Sequence, residues 1–258
     1  MPPQFELKAK ERIRKGLLVY REILQHALAR GVTEEDTSTI VQSILVEVLG
    51  YDRFQEISGQ YAVKGRWADW AVKVNDATLF FVEVKPVGTK LRERDLFQIV
   101  GYSRQQELEW TVLTTGDVWE CFRVATGHEP EEFLEIRLLD ASQDEAEIIE
   151  HLYLLSKEGF TKGALQEHWG KDECFRPERL AAVLLSDDVL GTIRRVVHRE
   201  NPGRRIEVDD LREALLRGVI RGDLRDINGV PAAAPAKSDI PKRQRKASRP
   251  EPPVPPEE

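Results

Sequence analysis

The apolar stretch LFFVEVK constrains the fold of this chain more than any other segment of its sequence. Aromatic and β-branched residues of this kind are typical of a strand inside a sheet, and Pro86 ends the run. Two opposite charges, Glu83 and Lys85, stand at its end. Side chains alternate along a strand, so we expect both charges to project to the same face, together with Leu79 and Phe81.

The strand before LFFVEVK is RWADWAVKV, which carries Asp69, and an Asn-Asp turn connects the two strands. A register that brings Asp69 beside Glu83 would place two carboxylates and the Lys85 ammonium in one small space. Two such carboxylates repel unless a cation lies between them, and carboxylate oxygens suit Mg²⁺, with Mn²⁺ as a substitute. This pattern predicts metal-assisted phosphodiester hydrolysis, with Lys85 orienting or deprotonating the attacking water or stabilising charge. For Glu83 and Lys85 taken alone, an ordinary ion pair remains the alternative.

Three further polar residues are candidates for the same site. Gln98 and Tyr102 are one turn apart on a predicted helix over residues 91–108, from which they could support a metal or a phosphate. A polar helix surface is the alternative. On the predicted helix 33–50, Glu34 falls near the centre of the apolar stripe, although at the first turn an acid also favours the helix dipole.

The order of periodic segments predicts four regions along the chain. A long amphipathic helix comes first, followed by a region of mixed helices and strands, a helical region, and a tail rich in proline, lysine and arginine that cannot bury enough apolar surface to fold. The predicted boundaries are 1–32, 33–140, 141–227 and 228–258.

Composition excludes several classes of protein. The 258 residues include no apolar run long enough to cross a membrane, and the charged N-terminus is unlike a secretion signal, so we expect a cytoplasmic protein. Cys121 and Cys174 have no partner motif, and the five histidines form no pair at metal-ligand spacing. No GxxxxGK phosphate loop is present. The net charge of −7 argues against a uniformly basic surface but allows a local basic groove.

The combination of Asp69, Glu83-x-Lys85 and Gln98-x-x-x-Tyr102 resembles the PD-(D/E)XK nuclease superfamily. More narrowly, RWADWAVKVNDATLFFVEVKPVGTKL followed by WTVLTTGDVWECFRV is similar to the N-terminal nuclease domain of type I restriction enzyme R subunits and their stand-alone relatives. The resemblance implies an α/β (α+β) fold of the restriction-endonuclease type, with a central mixed β-sheet flanked by helices and an added C-terminal helical region.

The same resemblance implies a Mg²⁺-dependent DNA endonuclease. Asp69, Glu83 and the Val84 carbonyl would hold the metal, and Lys85 would be the catalytic lysine. Gln98 and Tyr102 would form the accessory motif, while the first-helix acid of the family is assigned to Glu34 on geometry alone.

Type I R subunits join this domain to a translocating motor, and we expect regulation of a different kind here because no motor motif occurs in these 258 residues. An unidentified protein partner could therefore supply targeting, and the helices of 141–227 could clamp DNA or form a homodimer. Two other classes stay open: a catalytically silent nuclease fold that binds nucleic acid or protein, and an RNA-binding module. The basic run PKRQRK fits either a contact with DNA phosphates or a solvated linker.

Overall fold

A computed structural model describes residues 2–63 and 66–220, with the side chains of residues 62–67 left undescribed. The predicted tail, 228–258, lies outside this range. Contacts divide the chain into two compact units, Met1–Cys174 and Phe175–Glu258.

The first unit is built on a six-stranded sheet whose strands follow one another in chain order. The β3 and β4 strands are parallel, and the other neighbouring pairs are antiparallel. This arrangement confirms the predicted α/β fold with a mixed sheet. The strands are β1 Ile57–Val63, β2 Arg66–Val74, β3 Ala77–Val84, β4 Trp110–Thr114, β5 Val118–Arg123 and β6 Glu131–Arg137.

The β2–β3 hairpin turns through Asn75 and Asp76, which have φ angles of 52° and 64°. Asn and Asp tolerate this left-handed backbone, and two such residues in sequence suit the right-handed twist of a hairpin. The predicted Asn-Asp turn is therefore confirmed. This short turn sets the register of the two strands that carry Asp69 and Glu83.

A register shift between Val72 and Lys73 interrupts the same hairpin, so that Val72 pairs with Phe80 while Lys73 pairs with Thr78. Leu79 lies at the shift and packs against the larger core cluster, which contains Phe80. The prediction that Leu79 shares a face with Phe81 is therefore wrong, because the irregularity breaks the alternation of side chains.

Helices cover both faces of the sheet. The predicted helix 33–50 is an α-helix followed by a π-helical segment, Ile44–Val48, and the predicted helix 91–108 is shorter at both ends. The α-helices of this unit are α1 Gln4–Arg30, α2 Glu34–Ser43, α3 Glu93–Gln105, α4 Glu145–Leu155, α5 Lys157–Thr161 and α6 Ala164–Phe175, which ends at the unit boundary.

Two core clusters lie on opposite faces of β3. The larger combines residues of α1, α2 and α4 with alternate residues of β3, among them Val82 and Val84. The smaller lies under α3, where Phe81 meets Ile99 and Tyr102. Glu83 alternates with Val82 and Val84 and so lies on the α3 face, where it can meet side chains of α3.

The long helix α1 shares the larger core with the sheet, and its Ile13, Leu17 and Leu24 are at most 1% exposed. Residues of α4 and α6 also contribute to this cluster. The predicted boundaries at residues 32 and 140 stay predictions, because shared packing does not by itself show which segments fold independently.

The described part of the second unit contains α7 Pro177–Leu184, α8 Asp187–Glu200 and α9 Val208–Gly218. Leu190 of α8 is fully buried, and Ala181 and Ile220 form a small cluster. Over the described residues of the whole chain, every helix is too short or too polar to cross a membrane.

Candidate active site

The β2–β3 hairpin places Asp69 beside the end of β3. Trp70 pairs with Val82 across the two strands, and one further step of the antiparallel register puts Asp69 opposite Glu83. The Val84 N–H donates a hydrogen bond of 2.7 Å to Asp69 Oδ2. The register proposed from the sequence is therefore confirmed.

Lys85 connects Asp69 and Glu83 to Glu34, the first residue of α2. Its Nζ lies 2.9 Å from Glu83 Oε1 and 3.6 Å from Glu34 Oε1. The backbone N–H of Lys85 donates to the Thr114 carbonyl at 2.8 Å, which continues the parallel pairing of β3 and β4 one residue beyond β3. The lysine is thus fixed at its backbone and held by two carboxylates at its tip.

One oxygen of Glu83 accepts two hydrogen bonds, while the other has no partner among the described residues. Lys85 Nζ and Gln98 Nε2 both donate to Oε1, the latter at 3.2 Å. Oε2 is buried without a hydrogen bond, and Glu83 as a whole is 3% exposed. A buried carboxylate oxygen without a donor is costly, so this atom marks a place where a ligand would stabilise the fold.

Burial first, and the charge of Asp69 next, raise the pKa of Glu83 to about 7, against the hydrogen bond and charge of Lys85. Burial also raises the pKa of Asp69, against the Val84 N–H and Lys85. Burial makes both acids harder to ionise, and for Glu83 the charge of Asp69 adds to this effect. A cation between them would favour the ionised forms.

The pKa of Lys85 is also raised, which for a lysine favours the charged form. Burial alone would lower its pKa, but the hydrogen bond and charge of Glu83, together with the charges of Glu34 and Asp69, raise the pKa above its ordinary value. Lys85 is therefore protonated at neutral pH, and this favours a role as a cation over a role as a general base.

The donors of this site suit a small, hard cation. Over residues 2–63 and 66–220, no three His, Cys, Asp or Glu side chains form a group that could hold a metal. Mg²⁺, however, is usually bound by one or two carboxylates, with water and substrate phosphate completing its shell. Asp69 and Glu83 meet that requirement, and the unpartnered Oε2 of Glu83 has a lone pair to offer.

The comparison with known families agrees with this geometry. Residues 33–138 match the family Type I restriction enzyme R protein N terminus (HSDR_N). The resemblance predicted from the sequence is thereby confirmed over the segment from α2 to the end of β6, and the match indicates a nuclease-related function. Neither the curated proteins nor the solved structures contain a match to the chain.

The HSDR_N segment brings together most of the predicted site residues. Asp69 accepts a hydrogen bond from the backbone of Val84, and Lys85 contacts Glu83 directly. Gln98 donates to Glu83, and Glu34 lies near Lys85. Val84 enters through its N–H, whereas the role of its carbonyl as a metal ligand stays a prediction.

Tyr102 and Glu34 occupy contrasting environments. Tyr102 is 3% exposed and packs in the small cluster under α3 with Phe81 and Ile99. The Glu34 side chain is 48% exposed at the start of α2. The accessory role of Tyr102 stays a prediction, and its position favours support of the sheet face that carries Glu83.

One polar residue of the HSDR_N segment was not recognised from the sequence. Thr37 is fully buried, and its Oγ1 accepts a hydrogen bond of 3.1 Å from the Val87 N–H and donates one of 2.8 Å to the Thr33 carbonyl. The hydroxyl joins the first turn of α2, which carries Glu34, to the chain just after Lys85. A lone hydroxyl on an otherwise apolar helix stripe was the available signal.

Proposed function

We propose that this protein is a Mg²⁺-dependent endonuclease that hydrolyses phosphodiester bonds in DNA. The observation that carries the proposal is the meeting of Asp69, Glu83 and Lys85 at the end of β3, with a buried and unpartnered oxygen on Glu83. Its occurrence within a segment that matches a restriction-enzyme family supports DNA as the substrate.

In this proposal, Asp69 and Glu83 hold Mg²⁺ or Mn²⁺ together with the Val84 carbonyl. When bound, the metal polarises a phosphoryl oxygen and lowers the pKa of a bound water. The two oxygens of Glu83 have different roles: Oε1 accepts hydrogen bonds from Lys85 and Gln98, and Oε2 is left for the metal.

Lys85 acts as a fixed positive charge. Its ammonium can donate hydrogen bonds to the attacking water and to a phosphoryl oxygen on which charge develops during in-line displacement. Glu34, whose Oε1 lies 3.6 Å from Nζ, helps Glu83 to orient this ammonium. The raised pKa of Lys85 makes it a charge-stabilising group in this proposal, and proton removal falls to solvent.

Cleavage assays with matched variants test the proposal. The full chain is incubated with linear, supercoiled and single-stranded DNA in Mg²⁺, in Mn²⁺ and in EDTA. We expect metal-dependent cleavage that falls at least ~100-fold in Asp69→Asn and in Lys85→Met, since each removes a group acting on the transition state. Asp76→Asn, a carboxylate at the exposed turn of the same hairpin, serves as the matched control and is expected to cleave normally.

Two outcomes would contradict the proposal. Cleavage that persists in both Asp69→Asn and Lys85→Met would place the chemistry elsewhere. A folded wild-type chain that cleaves none of the three substrates would favour the catalytically silent alternative. A homodimer, an additional protein partner and a cytoplasmic location remain predictions.

A further inference from the structure

The second compact unit contains a concave surface of unusual charge, which we call the basic recess. Its volume is about 420 Å³, and α8 and the segment between α8 and α9 form its walls. The lining residues are Arg194, Arg195, His198, Arg205, Ile206 and Glu207.

The charge around the basic recess opposes that of the chain as a whole. Residues 194–207, which include the whole lining, hold five arginines and two glutamates, a formal charge of +3, in a protein whose net charge is −7. A local excess of this size creates a positive potential that the net charge conceals.

Stabilisation of the helix dipole does not account for these arginines. Basic residues in the last turn favour a helix C-terminus, and His198 and Arg199 occupy that turn of α8. Arg204 and Arg205, however, lie beyond the end of α8 at Glu200, and Arg194 lies more than one turn before it. The basic recess gathers arginines from both sides of the helix end.

Pairing with acids neutralises only part of this charge. Arg205 is 2.5 Å from Glu207, and first Arg205 and then Arg194 hold the pKa of Glu207 below its usual range. Arg195 donates to the Thr192 hydroxyl at 3.0 Å and has no carboxylate partner among the described residues. Arg194 acts on Glu207 through its charge but, over that part of the chain, forms no ion pair at contact distance with any acid. One glutamate therefore faces three guanidinium groups, so the basic recess can accept an anion.

We propose that the basic recess binds backbone phosphates of nucleic acid, as a DNA-contact surface outside the HSDR_N segment. Guanidinium groups match phosphate geometry through paired N–H donors and are weakly hydrated. The inference rests on the proposed function for the choice of nucleic acid over other polyanions. Binding to an anionic membrane is a different outcome, which the vesicle measurement below distinguishes.

A salt-dependent binding measurement tests the proposal without requiring cleavage. The full chain is titrated with a fluorescent DNA duplex in EDTA over a series of NaCl concentrations. We expect the triple variant Arg194→Gln/Arg195→Gln/Arg205→Gln to bind roughly tenfold or more weakly at about 0.1 M NaCl, and the slope of log K against log salt to shrink by about 2 to 3.

Two controls separate this site from general charge effects and from misfolding. Arg14→Gln/Lys15→Gln/Lys171→Gln makes the same change in net charge at exposed residues paired with acids, and we expect it to bind as the wild type does. The charge-conserving Arg194→Lys/Arg195→Lys/Arg205→Lys variant should retain most of the salt slope.

The outcomes distinguish the two proposals. Unchanged affinity and slope in the glutamine triple, or an equal loss in the control triple, would overturn the basic recess as a phosphate site. Binding to vesicles of anionic phospholipid in place of DNA would also overturn it. A wild-type chain that binds DNA through the basic recess but does not cleave would refute the nuclease proposal and leave this one standing.

Discussion

At the scale of single residues, Glu83 shows a conflict between folding and chemistry. The carboxylate is buried beside Asp69, and its pKa is raised to about 7 by burial first and by Asp69 next. With an unfolded value of 4.5, the ionised form costs the metal-free fold about 3 kcal/mol above neutral pH. Because the ionised carboxylate destabilises the metal-free fold, a bound cation that neutralises it should stabilise the fold.

This cost predicts the pH dependence of stability. Between the unfolded and folded pKa values the folded state binds the extra proton, so the free energy of unfolding in EDTA should fall as pH rises from about 5 to about 8. Glu83→Gln should lose this component. Added Mg²⁺ should raise the melting temperature of the wild type at about pH 8 but not that of Glu83→Gln. Chemical denaturation across pH and thermal scans measure both effects.

Glu120 provides the matched control for this prediction. Its pKa is also raised to about 7, by burial and by Glu132 and Glu135, so Glu120→Gln should likewise flatten the pH profile. Its Mg²⁺ response should remain that of the wild type, because Glu120 does not contact Asp69 or Glu83 in the described hydrogen bonds and ion pairs. A Glu83→Gln protein that still gains stability from Mg²⁺ would contradict the assignment of Glu83.

At the scale of elements, the buried Thr37 hydroxyl links α2 by hydrogen bonds to the chain just after β3. Thr37→Val keeps the shape but leaves the Val87 N–H and the Thr33 carbonyl without this partner, at a cost of about 1–3 kcal/mol. We expect slower cleavage as well, because the turn that carries Glu34 loses its link to the chain after Lys85. Thr37→Ser keeps the hydroxyl and should retain most of the activity.

Denaturation and single-turnover cleavage measure this pair of variants together. Equal rates in Thr37→Val and Thr37→Ser, after correction for the folded fraction, would show that the hydroxyl has no positioning role. A rate lost in valine and recovered in serine would support it.

Elements whose pattern is local could be predicted from the sequence. The alternation at the end of β3 and the Asn-Asp turn predicted a hairpin in which Asp69, Glu83 and Lys85 could meet, and helical spacing proposed Gln98 as a neighbour. Each of these signals depends on residues that are close in the chain. The core of the candidate site followed from them, whereas the fold class was expected from the family resemblance.

Features that depend on distant residues could not be predicted in this way. The π-helical segment Ile44–Val48 leaves carbonyls at its end, and the Arg12 guanidinium from α1 donates to those of Val48 and Leu49 at 3.0 and 3.1 Å. A local pattern contains no information about a donor 36 residues away. For the same reason, the sequence showed Thr37 only as one more residue of a buried helix face and did not show its hydrogen bond with the distant Val87 N–H.

At the scale of the whole molecule, the extent of the core determines which segment can fold alone. The predicted segment 33–140 lacks α1 and α4, whose Ile13, Leu17, Leu24 and Leu152 are at most 1% exposed. We expect that segment, expressed alone, to lack cooperative unfolding and near-UV circular dichroism, because its exposed apolar face has no cover. Residues 1–174 should show both signals.

The same experiment tests the boundaries predicted from composition. Gly31, with a φ of 63°, ends α1 as a left-handed C-cap, and such a signal marks the end of a helix without marking the end of a domain. A cooperative denaturation curve for 33–140 would show that α1 and α4 are accessory layers. Its absence would place them in the folding unit.

The parallel pairing of β3 with β4 joins two halves of the sheet, and the candidate site lies beside it. Strands β1 to β3 and strands β4 to β6 are two antiparallel meanders, each made of neighbours in the chain, and the β3–β4 contact with α3 as its crossover joins them. Glu83 and Lys85 lie on this seam, between Asp69 from the first meander and the Thr114 carbonyl from the second. The first meander carries Asp69, Glu83 and Lys85, whereas the second fixes the backbone of Lys85, so the lysine is held in place only where the two halves meet.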